Sequence, residues 1–106
     1  MSKVIWKFPL YLGDNAIGVP DVDARILSLQ MQGDTPTLWI LLDPSAKTPI
    51  TRYFKFYGTG HTTQDPIGAY IGTVQLEGGR YIFHLFEVTP QAEEAEPSES
   101  QERQRR

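Results

Sequence analysis

The chain has 106 residues, with 10 Lys and Arg against 13 Asp and Glu, a formal net charge of -3 and no cysteine. That length suits one small domain, and without cysteine there is neither a disulfide framework nor a thiolate metal site. Residues 1 to 88 hold seven basic and eight acidic side chains, which excludes the basic stripe that duplex nucleic acid requires; no run reaches membrane-span length, and an N-terminus broken by Lys7, Pro9 and Asp14 lacks a signal-peptide core.

Short strand-like runs separated by Gly, Pro, Asp and Asn follow one another, and no segment sustains a helical period. Val4 to Leu10 is expected as a first strand, Ala16 to Val19 as a second and Ala24 to Gln32 as a third. Thr37 to Asp43 is expected as a fourth, and its continuous run Leu38-Trp39-Ile40-Leu41-Leu42 predicts burial on both faces. Turns at Asp43-Pro44-Ser45 and Lys47-Thr48-Pro49 lead to a fifth strand, Thr51 to Tyr57. Gly58 to Gly68 is a loop, and Ala69 to Glu77 and Arg80 to Val88 complete the body.

Gly78-Gly79 between the last two runs supplies the positive φ values of a two-residue hairpin turn. The expected register sets Glu77 opposite Arg80, Gln75 opposite Ile82, Thr73 opposite His84 and Ile71 opposite Phe86 on a mixed outer face. Gly72, Val74, Leu76, Tyr81, Phe83 and Leu85 then make an apolar inner face.

The stretch from Ala24 to Gly33 returns at Ala69 to Gly78, offset by 45 residues, with Ala, Ile, Gln and Gly in register. Aromatic runs precede both, Trp6-Lys7-Phe8 and Phe54-Lys55-Phe56. Such self-similarity predicts one structural unit used twice, over about residues 4–43 and 51–88. Leu27, Leu29 and Met31 are the expected core positions of the earlier copy, whose turn is Gly33-Asp34-Thr35-Pro36.

Neither unit can bury its apolar face alone, so the expected fold is all-β: a small pseudo-twofold β-barrel or compact sandwich of six to seven antiparallel strands. An open sheet covered by a helix is disfavoured, because no segment looks able to supply the helix. Residues 1–89 form the expected single domain. Residues 90–106, rich in Glu and Arg and without a large apolar side chain, form an expected disordered tail.

The chemistry on offer is sparse. His61 and His84 are the two histidines, not at a ligand-pair spacing, so neither a metal site nor a cofactor is expected. No serine lies in Gly-x-Ser-x-Gly, Ser28 recurs as Thr73 in the repeat, and nearly every aspartate of the body sits in a turn context, so the expectation is not an enzyme. The richest polar segment is Gly58-Thr59-Gly60-His61-Thr62, where backbone amides and hydroxyls suit a phosphorylated ligand, although no helix follows to make a nucleotide fingerprint. Candidate ligand- or partner-binding residues are therefore Gly58, Thr59, Gly60, His61, Thr62, Tyr70, Gln75 and His84. Tyr70 is the expected exposed aromatic. Gln30 and Gln75 are candidates for a twofold pair inside a barrel or at a homodimer interface.

Taken together, Ile5-Trp6-Lys7-Phe8-Pro9-Leu10, Ala24-Arg25-Ile26-Leu27-Ser28 with Leu38-Trp39, Gly58-Thr59-Gly60-His61, and Tyr70-Ile71-Gly72-Thr73-Val74-Gln75 with Phe83-His84-Leu85-Phe86-Glu87 resemble small uncharacterised proteins of bacteriophages and prophages. The resemblance covers about residues 4–88 and implies a phage accessory protein acting in the cytoplasm of the bacterial host. The expected function is non-enzymatic binding of a host component: a counter-defence inhibitor of a host protein, or a sponge for a small phosphorylated nucleotide signal. The alternatives are a structural, virion-associated protein and, third, a small enzyme using His61 or His84.

Overall fold

The computed structural model describes residues 2–64 and 66–89. Seven strands form there: β1 (Val4–Pro9), β2 (Asp14–Val19), β3 (Arg25–Gln32), β4 (Thr35–Leu42), β5 (Ile50–Gly58), β6 (Ala69–Leu76) and β7 (Tyr81–Val88). They make two antiparallel sheets, a three-stranded one in the order β1-β4-β3 and a four-stranded one in the order β2-β5-β7-β6. In each sheet the second strand of a hairpin lies between the first and an earlier strand: β4 between β3 and β1, and β7 between β6 and β5. The expected tail lies outside the described residues.

Alternation along the strands builds one core between the sheets. Leu29, Leu38, Ile40 and Leu42 from the small sheet meet Ile17, Val19, Phe54, Phe56, Val74 and Leu85 from the large one. Burying each such aliphatic or aromatic side chain contributes about 1.5–3 kcal/mol. The β4 run is fully buried on one face only, since Trp39 and Leu41 stay half-buried on the outer face, where no strand of the other sheet packs.

The sheets do not close into a barrel. β3 and β6 lie close together but are not hydrogen-bonded neighbours, while β1 and β2 stand at the ends of their sheets, with no further strand paired to them among the described residues. At the β3–β6 crossing a Cβ placed on Gly72 would stand 3.3 Å from Leu29 Cβ, so side-chain packing takes the place of a ladder. After β1 the chain is diverted into the other sheet. Buried Asn15 forks the diversion, accepting from the Tyr11 amide through Oδ1 and donating to the Tyr11 carbonyl through Nδ2, both at 2.9 Å.

Both hairpin loops depart from expectation, in opposite directions. In the first, Gln32 pairs with Thr35, leaving only Gly33-Asp34 as the turn, with Gly33 at φ 61°. Thr35 and Pro36 therefore belong to β4. In the second, Gly78 and Gly79 do take the expected positive φ, 69° and 94°, but Glu77 joins them at 51°. The last ladder pair is thus Leu76 with Tyr81, and Glu77 and Arg80 leave the ladder, joined by an Arg80 amide to Glu77 carbonyl bond of 3.3 Å.

Two bulges shift the faces. Thr73 opposes His84 and Gln75 opposes Ile82 as expected, but the register changes between Tyr70 and Gly72, so Tyr70 takes the place opposite Phe86 and Ile71 packs against the core. A similar shift between Ile26 and Ser28 turns Ile26 towards the core and leaves Leu27 exposed, correcting its core placement. A bulge inserts one unpaired residue, and every side chain beyond it changes phase relative to the partner strand. Tyr81, at the start of β7, is also exposed.

Polar groups lock the elements together. Arg52 on β5 donates from Nε and Nη2 to the two Glu87 carboxylate oxygens, each at 2.7 Å, and from Nη1 to the Ala24 carbonyl at 2.9 Å. The guanidinium thus ties β5, β7 and the entry to β3, and its pairing with Glu87 holds it more firmly protonated than a free arginine. Glu87→Gln should lower stability by about 1–3 kcal/mol by leaving a largely enclosed guanidinium without its counter-charge. Urea denaturation measures that loss; an unchanged midpoint would show the pair to be energetically idle.

Asp21 and Asp43 occupy turns, as their contexts suggested, and both are buried. Asp21 accepts from the amides of Asp23 and Asp43, each at 2.9 Å. Asp43 accepts from the Ser45 hydroxyl at 2.8 Å and the Ser45 amide at 2.9 Å, and these bonds hold its carboxyl below the ordinary aspartate value. A lowered folded pKa stabilises above the unfolded value and is lost as pH falls through the folded one. The stability deficit of Asp43→Asn should therefore be fully present at neutral pH and shrink as pH falls below the ordinary aspartate value, as read from denaturant midpoints; a deficit that stays constant on acidification counts against the linkage.

Candidate functional site

The outer face of the four-stranded sheet follows from the register. Since Phe54 and Phe56 point into the core, Tyr53, Lys55 and Tyr57 of β5 point outward. Opposite them stand Val88, Phe86 and His84 of β7, and beyond those Tyr70 and Thr73 of β6. No strand among the described residues lies over this face. Tyr70 keeps 59% of its surface exposed, whereas the Tyr57 side chain, though on the same face, is buried at 8%.

Two networks meet there. The first is aromatic: Tyr57 and Phe86 make an edge contact with centroids 5.8 Å apart, and Phe86 makes another with Tyr70 at 5.5 Å. Lys55 Nζ lies 5.4 Å from the Tyr57 ring centroid and 3.9 Å from an Asp14 carboxylate oxygen.

The second network is a hydrogen-bonded chain through His84. Thr59 Oγ1 lies 2.7 Å from His84 Nε2, Thr73 Oγ1 lies 2.9 Å from Nδ1, and the Tyr70 hydroxyl bonds Thr73 Oγ1. Thr59 Oγ1 is also 3.4 Å from the Ile82 carbonyl, which can only accept. One assignment satisfies every partner: Tyr70 donates to Thr73, Thr73 to Nδ1, Nε2–H to Thr59, and Thr59 to Ile82. Both ring nitrogens are engaged in it, so His84 could serve a metal or act as a base only by giving up a hydroxyl.

Of the residues singled out in the sequence, Thr59, Tyr70 and His84 are joined in this chain. Gln75 stands on the same face, exposed, opposite Ile82. Gly58, Gly60, His61 and Thr62 form the turn leaving β5, in which the His61 amide donates to the Gly58 carbonyl and the Thr59 amide to the Ile82 carbonyl, each at 3.0 Å. A Cβ on Gly58 would stand 2.7 Å from His61 Nδ1, so the ring occupies the space a side chain would need. Two amides expected to cradle an anion are thereby already committed.

Gln30 and Gln75 are not brought together. Gln30 is on β3 of the small sheet, opposite Thr37, and the buried neighbours Leu29 and Val74 show that the two glutamines point away from the core in different sheets. Among the described residues no group of three His, Cys, Asp or Glu side chains is placed to hold a metal ion. Thr73, Tyr57 and Phe86 were not among the sequence candidates. The alternation of Tyr53, Lys55 and Tyr57 with Phe54 and Phe56 is the signal for Tyr57, and the expected outer-face register of the last hairpin, with Thr73 opposite His84 and Phe86 two residues on, is the signal for the other two.

Fold and face together define an all-β protein of two antiparallel sheets that displays an aromatic and hydroxyl-rich surface on the larger one. Residues 1–96 match a domain of unknown function, DUF7352, and the chain belongs to that family. No curated protein and no solved structure matches the chain.

Proposed function

We propose that this chain is a non-enzymatic binding protein that engages a protein partner through the outer face of its four-stranded sheet. The observation that carries the reading is the outer-face pair of half-buried Phe86 and exposed Tyr70, backed by the buried Tyr57 ring, running beside the chain Tyr70–Thr73–His84–Thr59. Aromatic rings held by their neighbours offer large contact area at low entropic cost, and oriented hydroxyls add directional polar contacts, the combination enriched at interface hot spots. The resemblance to bacteriophage proteins makes the proposed partner a host protein met in the bacterial cytoplasm. Capture of a nucleotide signal is less supported, because the Thr59 and His61 amides already bond within the chain.

The same proposal includes the two-unit reading, with β1, β3 and β4 as one copy and β5, β6 and β7 as the other. It is supported by the 45-residue offset and by the matching order of the strands.

The test is affinity capture from bacterial lysate on the full chain, with Tyr70→Ala and Thr73→Ala in parallel. A bound protein whose retention falls by roughly thirtyfold, about 2 kcal/mol, in Tyr70→Ala supports the reading. Retention indifferent to both substitutions overturns it. A thermal shift with cyclic or linear nucleotides that disappears in Thr59→Ala would put a phosphorylated ligand in the partner's place.

A further inference from the structure

The hydroxyl chain on the larger sheet has a direction, and that direction fixes what its exposed end offers. The Ile82 carbonyl can only accept, so Thr59 donates to it and His84 Nε2–H donates to Thr59. Nδ1 then accepts from Thr73, and Thr73 accepts from the Tyr70 hydroxyl. The Tyr70 proton is thereby turned inward, and the remaining lone pair on its oxygen faces outward as an acceptor. Beside it the exposed Tyr70 ring and half-buried Phe86 make their edge contact at 5.5 Å.

No positive group of the chain itself answers this acceptor. Lys55 is engaged over the Tyr57 ring and beside Asp14, and Arg80 lies over Tyr81; among the described residues no lysine or arginine stands over Tyr70 or Phe86. The net charge of -3 draws cationic surfaces towards the molecule.

We propose, resting on the binding function given above for this face, that the partner presents an arginine: its guanidinium lies against the Tyr70 and Phe86 rings and donates to the Tyr70 oxygen. A guanidinium is planar, weakly hydrated and always charged, so it stacks on aromatic rings while its edge N–H groups reach an oxygen beside them. A lysine ammonium, strongly hydrated and compact, combines the two less well.

His84 controls the acceptor. A histidine ring takes up a second proton within about pH 5–8. Once both nitrogens donate, Nδ1–H gives to Thr73, Thr73 gives to Tyr70, and the Tyr70 proton turns outward. An arginine then meets a donor and a positive ring where it had an acceptor. The titratable and charged groups around the imidazole are Tyr57 and Lys55 on β5, Asp14 on β2 beside Lys55, and Tyr70 on β6. His61 follows Thr59 with its ring against Gly58, and Glu87 is held by Arg52.

The test is an NMR titration of the full chain with N-acetyl-arginine methylamide and, separately, with its neutral citrulline counterpart at constant ionic strength. At about pH 8 the Tyr70 ring and Thr73 amide signals should move, with half-saturation at about fivefold lower concentration for the arginine compound. At about pH 5 that preference should shrink to less than half. Thr73→Val cuts the chain at an exposed position and should remove most of this pH response. Tyr70→Phe keeps the ring without the oxygen and should lose most of the arginine preference, a readout that stands even if Thr73→Val fails to fold. Equal half-saturation for the two compounds, no movement at Tyr70, or the same pH response in Thr73→Val would each overturn the proposal. A lysate protein whose retention depends on Tyr70, while the arginine compound leaves Tyr70 unmoved, removes the arginine and keeps the binding face; retention indifferent to Tyr70 removes the face itself.

Discussion

Phe54→Ala is expected to cost about 3–5 kcal/mol, the range for truncating a buried aromatic. Phe54 is 1% exposed and lies mid-strand on β5, paired with Asn15 of β2 on one side and Glu87 of β7 on the other. Its ring faces the shared core, so truncation opens a cavity where the hydrogen-bonded strands on both sides limit collapse. For a domain of this size each kcal/mol corresponds to about 4–8 °C in Tm, and the whole stability is of the order of 5–15 kcal/mol. Phe86→Ala on the outer face is the matching control. Its ring is only half-buried, against Tyr57 and Tyr70, and a markedly smaller loss is expected. Equal losses in calorimetry would mean that the outer face is packed as tightly as the core.

Gly68→Ala is the second large effect, although the residue is exposed. Its φ is +96°, and a Cβ would stand 2.2 Å from the Glu87 carbonyl oxygen and 3.1 Å from its carbon. Both obstacles are backbone, so no rotamer change relieves them, and β6 must move away from β7. The left-handed backbone alone costs about 1–2 kcal/mol, and with the collision the loss should reach about 2–4 kcal/mol. Displacement of β6 also disturbs the Tyr70–Phe86 pair and the hydroxyl chain to His84. Gly78→Ala separates the two contributions, since Gly78 has φ +69° with nothing within 4 Å of a Cβ. Denaturant midpoints that fall equally for the two substitutions would show that the contact with Glu87 adds nothing.

The candidate site was legible in part. Tyr70, Thr59 and His84 stand out as an aromatic, a hydroxyl and an imidazole near one loop. Their connection is not visible in the sequence, because Thr59 and His84 are 25 residues apart and meet only where β5 pairs with β7. The pairing of Thr73 with His84 was legible, since the turn between β6 and β7 is local and its register reaches back along both strands. The bulge after Tyr70 was not: an extra residue leaves no mark in an alternating pattern that continues on both sides of it.

What the sequence by itself determined is the all-β composition and the seven strands to within about two residues, because alternation and turn residues are local properties of the chain; the continuous apolar run of β4 did not show that only one of its faces is fully buried. What the tertiary structure alone decided is how the sheets are arranged. Phe54 and Phe56 face the core while Trp6, in the corresponding aromatic run, lies 41% exposed on the end strand of its sheet. That difference depends on β2 joining the larger sheet, where it pairs with β5, instead of pairing with β1. Such a choice depends on contacts between distant strands, for which neither hydrophobic period nor turn chemistry carries a signal.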